Sequence, residues 1–354
     1  MEYSNKLLLK GNEAVVFGSL LAGCDCFFGY PITPASEIAQ TAAEYFPKLG
    51  RTFLQAECET ASINMVLGAS AAGRRVMTAS SGLGISLKQE GVSYIATMEL
   101  PCVIVDVMRG GPGLGNIAPE QSDYNQIVKG GGHGGYKVMV LAPSSAQEMC
   151  DFARLAFDLT DKYRTPVYIL TDGVTGQMLE SVTLPEPLGR RPSPDWALDF
   201  KANPRTNYLT SIYMEPNDLE NLNKKLNAKY AEMEAKEARA EEYMADDAEI
   251  IVSGFGICGR VIRTAIDVLR AEGIKAGMIR PITLFPFPKQ AMRAHLKTAK
   301  QYVSVEMNNG QMIDDIRLAI ECARPVTLVN RMGGNLPTVD LVVSHCRKLA
   351  KGGK

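Results

Sequence analysis

The run Pro101-Cys-Val-Ile-Val-Asp-Val-Met108 constrains the fold more than any other stretch of the chain. A strand with so little apolar–polar alternation has both faces buried, and such strands belong to parallel sheets covered by helices on either side. Similar runs recur through the sequence with helical periodicity between them. In the first half, strands are predicted over 24–29, 52–56, 75–80, 101–108, 137–142 and 166–171, with helices over 13–22, 35–45, 59–73, 85–98 and 145–163. Beyond position 248 the pattern resumes, with strands over 249–255, 275–280, 301–306 and 325–330 and helices over 259–272, 288–299, 311–323 and 338–350. The expected fold class is α/β, with two doubly wound parallel-sheet domains over 1–184 and 248–354. A length of 354 residues suits two domains. Residues 185–247 read as an irregular linker plus a charged helix. Pro185 to Pro216 is proline-rich and irregular, and Asp218 to Asp247 is charged and helical. The stripe Leu219, Leu222, Leu226, Tyr230 and Met233 predicts that this helix packs against the rest of the chain.

Composition removes several function classes. A net charge of −1 offers no electrostatic footing for nucleic acid or an anionic membrane. No apolar stretch approaches the roughly 20 residues of a membrane span, and Met1 to Lys10 is unlike a secretory signal. The eight cysteines are scattered without a CxxC, which fits buried thiols in a reducing cytoplasm. His133, His295 and His345 lie far apart, so no His-based metal site is expected, and the cysteine spacing gives no iron–sulfur cluster on this chain.

Three polar residues stand where predicted strands end. Thr33 lies between Pro31 and Pro34 after the strand that ends at Gly29. Glu57 and Glu59 precede a helix rich in Ala, Ser and Gly, and Arg109 closes the 101–108 strand before a glycine-rich loop over 110–135. Singly, each has a plain reading: a turn or helix cap, an acid complementing a helix dipole, a surface base. Together, at the carboxyl ends of separate parallel strands, they mark the usual crevice for a ligand. A competing signal is Gly254-Phe-Gly-Ile-Cys-Gly259, a GxGxxG between strand and helix. The acid that NAD requires at the end of the next strand is replaced by Arg280-Pro281, which leaves an NADP-binding oxidoreductase as the nucleotide reading and close packing as the plain one.

Gly29-Tyr-Pro-Ile-Thr-Pro-Ala-Ser-Glu-Ile38, the Glu59 helix, Thr78-Ala-Ser-Ser-Gly82, Arg109-Gly-Gly-Pro-Gly-Leu-Gly115 and Arg280-Pro-Ile-Thr-Leu-Phe-Pro286 together resemble the α subunit of 2-oxoacid:ferredoxin oxidoreductases. The likeness covers nearly the whole chain except 185–246. It implies a pyrimidine-binding domain for thiamine diphosphate over 1–184 and a transketolase-C-terminal-like domain over 248–354. It also implies that Glu59, rather than Glu57, activates the cofactor through its aminopyrimidine ring, with Pro31, Ile32, Ser80, Ser81 and Gly82 as further cofactor contacts. Thr33 would hydrogen-bond the substrate, and Arg109 would hold its carboxylate beside Gly110 and Leu114; a guanidinium fork suits that planar group. The implied reaction is oxidative decarboxylation of a 2-oxo acid to acyl-coenzyme A and CO2, with ferredoxin as electron acceptor.

The Gly-Asp-Gly segment by which thiamine enzymes hold diphosphate and magnesium has no counterpart here, since Asp172-Gly173 reads as a strand-end turn. The resemblance therefore implies a β subunit bringing the diphosphate, Mg2+ and an iron–sulfur cluster, with small γ and ferredoxin-like δ subunits beside it. Between Gly110 and Pro119 there is no Lys or Arg to pair a second carboxylate. That favours a branched-chain acid such as 3-methyl-2-oxobutanoate, while Lys129 and arginines elsewhere keep 2-oxoglutarate open, and pyruvate is a further candidate.

Overall fold

The computed structural model describes residues 6–189, 191–199 and 207–352. The first half runs β1 (Lys6–Lys10), α1 (Gly11–Leu21), β2 (Cys26–Gly29), α2 (Ser36–Lys48), β3 (Thr52–Gln55), α3 (Glu59–Ala71), β4 (Val76–Ser80), α4 (Leu83–Thr97), β5 (Cys102–Met108), α5 (Tyr124–Val128), β6 (Met139–Leu141), α6 (Ala146–Tyr163), β7 (Pro166–Asp172), α7 (Gly173–Gln177) and β8 (Leu179–Thr183). The second half runs α8 (Pro216–Lys236), β9 (Ala240–Tyr243), β10 (Ile250–Ser253), α9 (Ile257–Ala271), β11 (Ala276–Pro281), β12 (Thr283–Phe285), α10 (Lys289–Ala294), β13 (Gln301–Glu306), α11 (Ile313–Ala319), β14 (Val326–Asn330) and α12 (Val339–Ala350). No helix among the described residues is long and apolar enough to cross a membrane.

A seven-stranded sheet in the order β12-β6-β7-β5-β4-β2-β3 forms the larger core. All of its pairings are parallel except β12 with β6. Every residue of β4, β5 and β7 is buried, in keeping with their largely apolar sequences. The order β5-β4-β2-β3 places four carboxyl ends side by side, and these ends lead to Arg109, Gly82, Thr33 and Glu59. A five-stranded sheet, β14-β13-β10-β11-β9, forms the second core.

Several elements depart from the sequence reading. The expected loop over 110–135 contains α5, a five-residue helix whose Tyr124, Ile127 and Val128 are buried. The helix expected to continue to Asp247 stops at Lys236, and Ala240–Tyr243 pairs antiparallel with β11. That strand is Ala-Glu-Glu-Tyr, and tertiary partners rather than hydrophobicity make it a strand: Glu241 accepts from Arg280 Nε (2.6 Å), and Glu242 pairs with His295 (2.8 Å). The helices expected over 288–299 and 311–323 shorten to α10 and α11. An antiparallel pair, β1 with β8, had no counterpart in the reading, and β12 leaves the second half to extend the first sheet.

On α8, Leu226, Tyr230 and Met233 are buried and Leu222 packs on the core, while Leu219 stays exposed, so the helix packs on its own chain. The irregular segment before it lies partly outside the described residues, at 190 and 200–206. Its Trp196 stacks against the Arg164 guanidinium, 4.6 Å from the ring centre.

Candidate functional site

The loop after β2 is braced from beneath. Asn12 Nδ2 and Gln177 Nε2 donate to the Pro34 carbonyl (2.8 and 3.2 Å), and both also reach the Glu37 carboxylate. Burial alone would raise the Glu37 carboxyl, but the donors Gln177, Lys10 and Asn12 hold it below its ordinary range. Pro31 and Thr33 are exposed on the brace, and Ile32 is half-buried. Arg109 joins this loop to its own: Nη1 donates to the Thr33 carbonyl (3.1 Å) and Nη2 to the Leu114 carbonyl (3.4 Å). The structure thus brings Thr33 and Arg109 together, while Leu114 stands 75% exposed at the loop tip. Gly110 is buried at the loop base.

Glu59 is the first residue of α3, only 6% exposed, whereas Glu57 is exposed two residues earlier. Cys58 caps the helix by accepting from the Ala61 amide. Among the described residues no group hydrogen-bonds the Glu59 carboxylate. The turn Gly82-Leu83-Gly84 separates it from Arg109. A β-carbon on Gly84 would fall 2.5 Å from Glu59 Oε1 and 2.1 Å from Ser80 Oγ, and one on Gly82 would meet the Arg109 side chain at 3.5 Å. Both glycines therefore leave space for functional groups on opposite sides of one turn. The Ser80 and Ser81 hydroxyls are fully buried and without partners.

Two features near this turn escaped the sequence reading. Lys88 on α4 is fully buried, and its Nζ donates to Ser62 Oγ, to Thr78 Oγ1 (3.2 Å) and to the Glu59 carbonyl (3.5 Å). Burial pulls its pKa down to about 7, against the opposing pull of the Glu59 charge. Asp106 in β5 and Asp123 before α5 form a buried carboxyl pair: burial and the neighbouring charge push Asp106 well above its ordinary range, and burial pushes Asp123 up to about 6. Asp123 also accepts from the Gly82 backbone. The available signal in each case was a charged residue inside an otherwise apolar or small-residue element.

A cleft of about 690 Å3 opens beside Arg109, lined by Gly82, Gly110 and Asp123 from the first half and by Asn309, Gln311 and Met332 from the second. Glu59, Thr33, Pro31, Ile32, Ser80, Ser81 and Leu114 do not line it. The residues around Glu59 fit the pyrimidine half of thiamine diphosphate: a carboxylate on a largely buried residue with no hydrogen-bond partner among the described residues, two orphaned hydroxyls, and a cradle that one extra methyl would fill. Among the described residues no group of three or more His, Cys, Asp or Glu is placed to hold a metal ion.

The GxGxxG segment has a different use. A β-carbon on Gly254 would strike Ile262 and the Val305 carbonyl, and one on Gly259 would strike Arg280 at 2.5 Å. The start of α9, where a pyrophosphate would bind, is taken by the chain's own carboxylate: Asp172 Oδ2 accepts from the Ile257 amide (2.9 Å). Asp172 Oδ1 meanwhile caps α7 through the Thr175 amide (2.9 Å). Arg280, the candidate for an NADP phosphate, is 3% exposed, with Nη1 and Nη2 on Glu148 (3.0 and 2.6 Å) and Nε on Glu241. The packing reading holds, and the nucleotide reading does not.

Residues 18–244 match the family described as "Pyruvate flavodoxin/ferredoxin oxidoreductase, thiamine diP-bdg", and residues 248–342 match "Pyruvate:ferredoxin oxidoreductase core domain II". The chain is 58% identical over 344 residues to the ketoisovalerate oxidoreductase subunit VorB of Methanothermobacter thermautotrophicus, covering 97% of each. It is 40% identical to the 2-oxoglutarate synthase subunit KorA of Archaeoglobus fulgidus, covering 89% of this chain and 92% of that one. Among solved structures, a 2-oxoglutarate:ferredoxin oxidoreductase from Magnetococcus marinus, with 2-oxoglutarate, coenzyme A and succinyl-CoA bound, superposes with a TM-score of 0.88 at 28% identity, covering 99% of this chain and 66% of that one.

Proposed function

The chain belongs to the 2-oxoacid:ferredoxin oxidoreductase family, and we propose that it receives the pyrimidine half of thiamine diphosphate and selects a branched-chain 2-oxo acid. The substrate is 3-methyl-2-oxobutanoate, converted with coenzyme A to the acyl-coenzyme A and CO2 while ferredoxin is reduced. The 58% identity to a ketoisovalerate oxidoreductase subunit supports that choice over 2-oxoglutarate, as does a 110–119 loop without a cation. Pyruvate is the smaller competitor. The complete enzyme works in the cytoplasm with a β subunit that supplies the diphosphate site, Mg2+ and an iron–sulfur cluster, together with γ and ferredoxin-like δ subunits. Within this chain, residues 1–184 form the pyrimidine-binding unit, 185–247 a linker with its helix, and 248–354 the transketolase-C-terminal-like unit.

The observation that carries the site assignment is the Glu59 carboxylate, buried yet lacking a partner behind the Gly84 turn. Thiamine diphosphate, when bound, supplies the nucleophilic carbon and the electron sink that decarboxylation needs. Glu59 would hold the pyrimidine ring nitrogen by a hydrogen bond through its carboxyl. Ser80, Ser81, Gly82, Pro31 and Ile32 would line the ring's seat. The Thr33 hydroxyl donates to the keto oxygen of the substrate. Arg109 already donates to two neutral carbonyls; a substrate carboxylate replaces them with a charged acceptor, a stronger bond of better geometry. Gly110 and Leu114 then border the acid's side chain.

Replacing Glu59 with Gln in the assembled complex tests the assignment. Ferredoxin reduction driven by 3-methyl-2-oxobutanoate is expected to fall by about 100-fold or more. Retained turnover would show that the carboxylate takes no part. Comparison of kcat/KM on 3-methyl-2-oxobutanoate, 2-oxoglutarate and pyruvate tests the substrate, and a preference for either of the others overturns it.

A further inference from the structure

The loop that follows Arg109 closes on itself. Gly110 N–H donates to the Ala118 carbonyl (2.9 Å), Asn116 N–H donates to the Gly110 carbonyl (3.0 Å), and Arg109 bridges to Pro119 in antiparallel fashion. Its outer residues, Gly111 to Ile117, are exposed, so little packing within the first half fixes its shape.

What fixes it comes from the second half. Glu120 is 2% exposed, with Oε2 accepting from the Gly111 amide (2.9 Å) and from Ser122 Oγ, and Oε1 accepting from the Gly333 amide. Asn116 Nδ2 donates to the carbonyl of the same Gly333 (3.2 Å), and its Oδ1 accepts from the Ala118 amide (2.9 Å). The Gly333 residue is thus gripped at both its N–H and its C=O by two residues of the 110–120 loop. Next to it, Gly334 has φ +92, and a β-carbon there would lie 2.3 Å from the Ala118 methyl. The chain beyond Glu120 is held by the same half: Gln121 N–H donates to the Met307 carbonyl (2.9 Å), and Asn308 Nδ2 and Gln311 Nε2 donate to the carbonyls of Gln121 and Ser122 (2.9 and 3.0 Å). A buried carboxylate that faces backbone amides from two different loops is expensive unless both stay in place. Its two oxygens therefore fix the distance between those loops.

We propose that Glu120 is a positioning residue for substrate selection: it fastens the 110–119 loop to the Met332–Asn335 turn, and that turn sets how large a 2-oxo acid side chain the loop admits beside Arg109. The proposal rests on the reading of Arg109, Gly110 and Leu114 as the substrate-binding groups. It assigns the second half a part in specificity that no residue of its own sheet performs.

Glu120→Gln discriminates well, because one carboxamide end carries N–H groups and must turn a donor toward either the Gly111 or the Gly333 amide. In the assembled complex, KM for 3-methyl-2-oxobutanoate is expected to rise by about tenfold, and its kcat/KM advantage over pyruvate to shrink by a similar factor, while kcat at saturation changes less. Gly334→Ala, which pushes on Ala118 and leaves Glu120 intact, should shift the same ratio in the same direction. If Glu120→Gln does not assemble, the exposed Asn116→Ala removes the second grip on Gly333 and carries the test. A fall in melting temperature with wild-type KM and selectivity would make the contact purely structural and overturn the proposal. A wild-type complex that oxidises no 2-oxo acid would instead overturn the functional reading beneath it.

Discussion

Replacing Lys88 with Met should make the chain more stable near neutral pH and remove part of its pH dependence. The Lys88 ammonium is fully buried, and its pKa falls from an ordinary 10.5 to about 7. A depressed base binds fewer protons in the folded than in the unfolded state, so stability rises with pH between those two values and is lowest below the folded one. At 1.36 kcal/mol per pH unit, the window from about 7 to 10.5 corresponds to about 5 kcal/mol. The methionine forfeits the bonds to Ser62 Oγ, Thr78 Oγ1 and the Glu59 carbonyl. Leaving a buried hydroxyl without that partner costs about 1–3 kcal/mol. Ser62 keeps its own bond to the Glu59 carbonyl (2.9 Å), so the loss falls mainly on Thr78. The balance favours the variant by about 2 kcal/mol at pH 7, a balance that reverses toward pH 10. Thermal unfolding of both proteins, scanned from pH 6 to pH 10, reads this directly. Wild-type melting should climb with pH while the variant's stays flatter, with the curves crossing. Curves that run parallel would refute the reasoning. Turnover is expected to fall in the variant, since Lys88 braces the residue that carries the site's carboxyl.

Other outcomes follow from single contacts. Gly84→Ala places a methyl 2.5 Å from Glu59 Oε1, and 2-oxo-acid-dependent ferredoxin reduction should drop by about 100-fold with the circular dichroism spectrum unchanged; near-wild-type rates would contradict the cradle. Arg280→Met deprives the half-buried Glu148 and Glu241 of the guanidinium they share and should cost about 1–3 kcal/mol in chemical denaturation. Calorimetric titration with NADPH should show no binding, since Asp172 holds the α9 amide and Arg280 is fully paired; micromolar affinity would restore the nucleotide reading.

Much of the framework is legible without coordinates. The mostly apolar runs at 26–29, 76–80 and 102–108 announce buried parallel strands, and the loops at their carboxyl ends are where Thr33, Gly82 and Arg109 stand. Preference for Glu59 over Glu57 came from resemblance, and burial separates the two. What the sequence hides is long-range. Glu120 and Glu306 look like surface acids, yet Glu306 is fully buried and accepts from the amides of Gln311, Met312 and Ile313. Asp106 sits in an apolar strand, but its neighbour Asp123 arrives from a loop whose path no local pattern describes. Strand β9 is too polar, and β12 too short, to be recognised before their partners are known.

Thr283 and Phe285 pair with Leu141 and Val140, so the border of the larger sheet is supplied by residues from far along the chain. A polypeptide cut between the two halves would leave Met139–Leu141 with a raw, apolar margin ready to associate with any strand it met. The same seam denies the halves a hinge at this point. Any widening of the cleft beside Arg109 must come from the glycine turns around it.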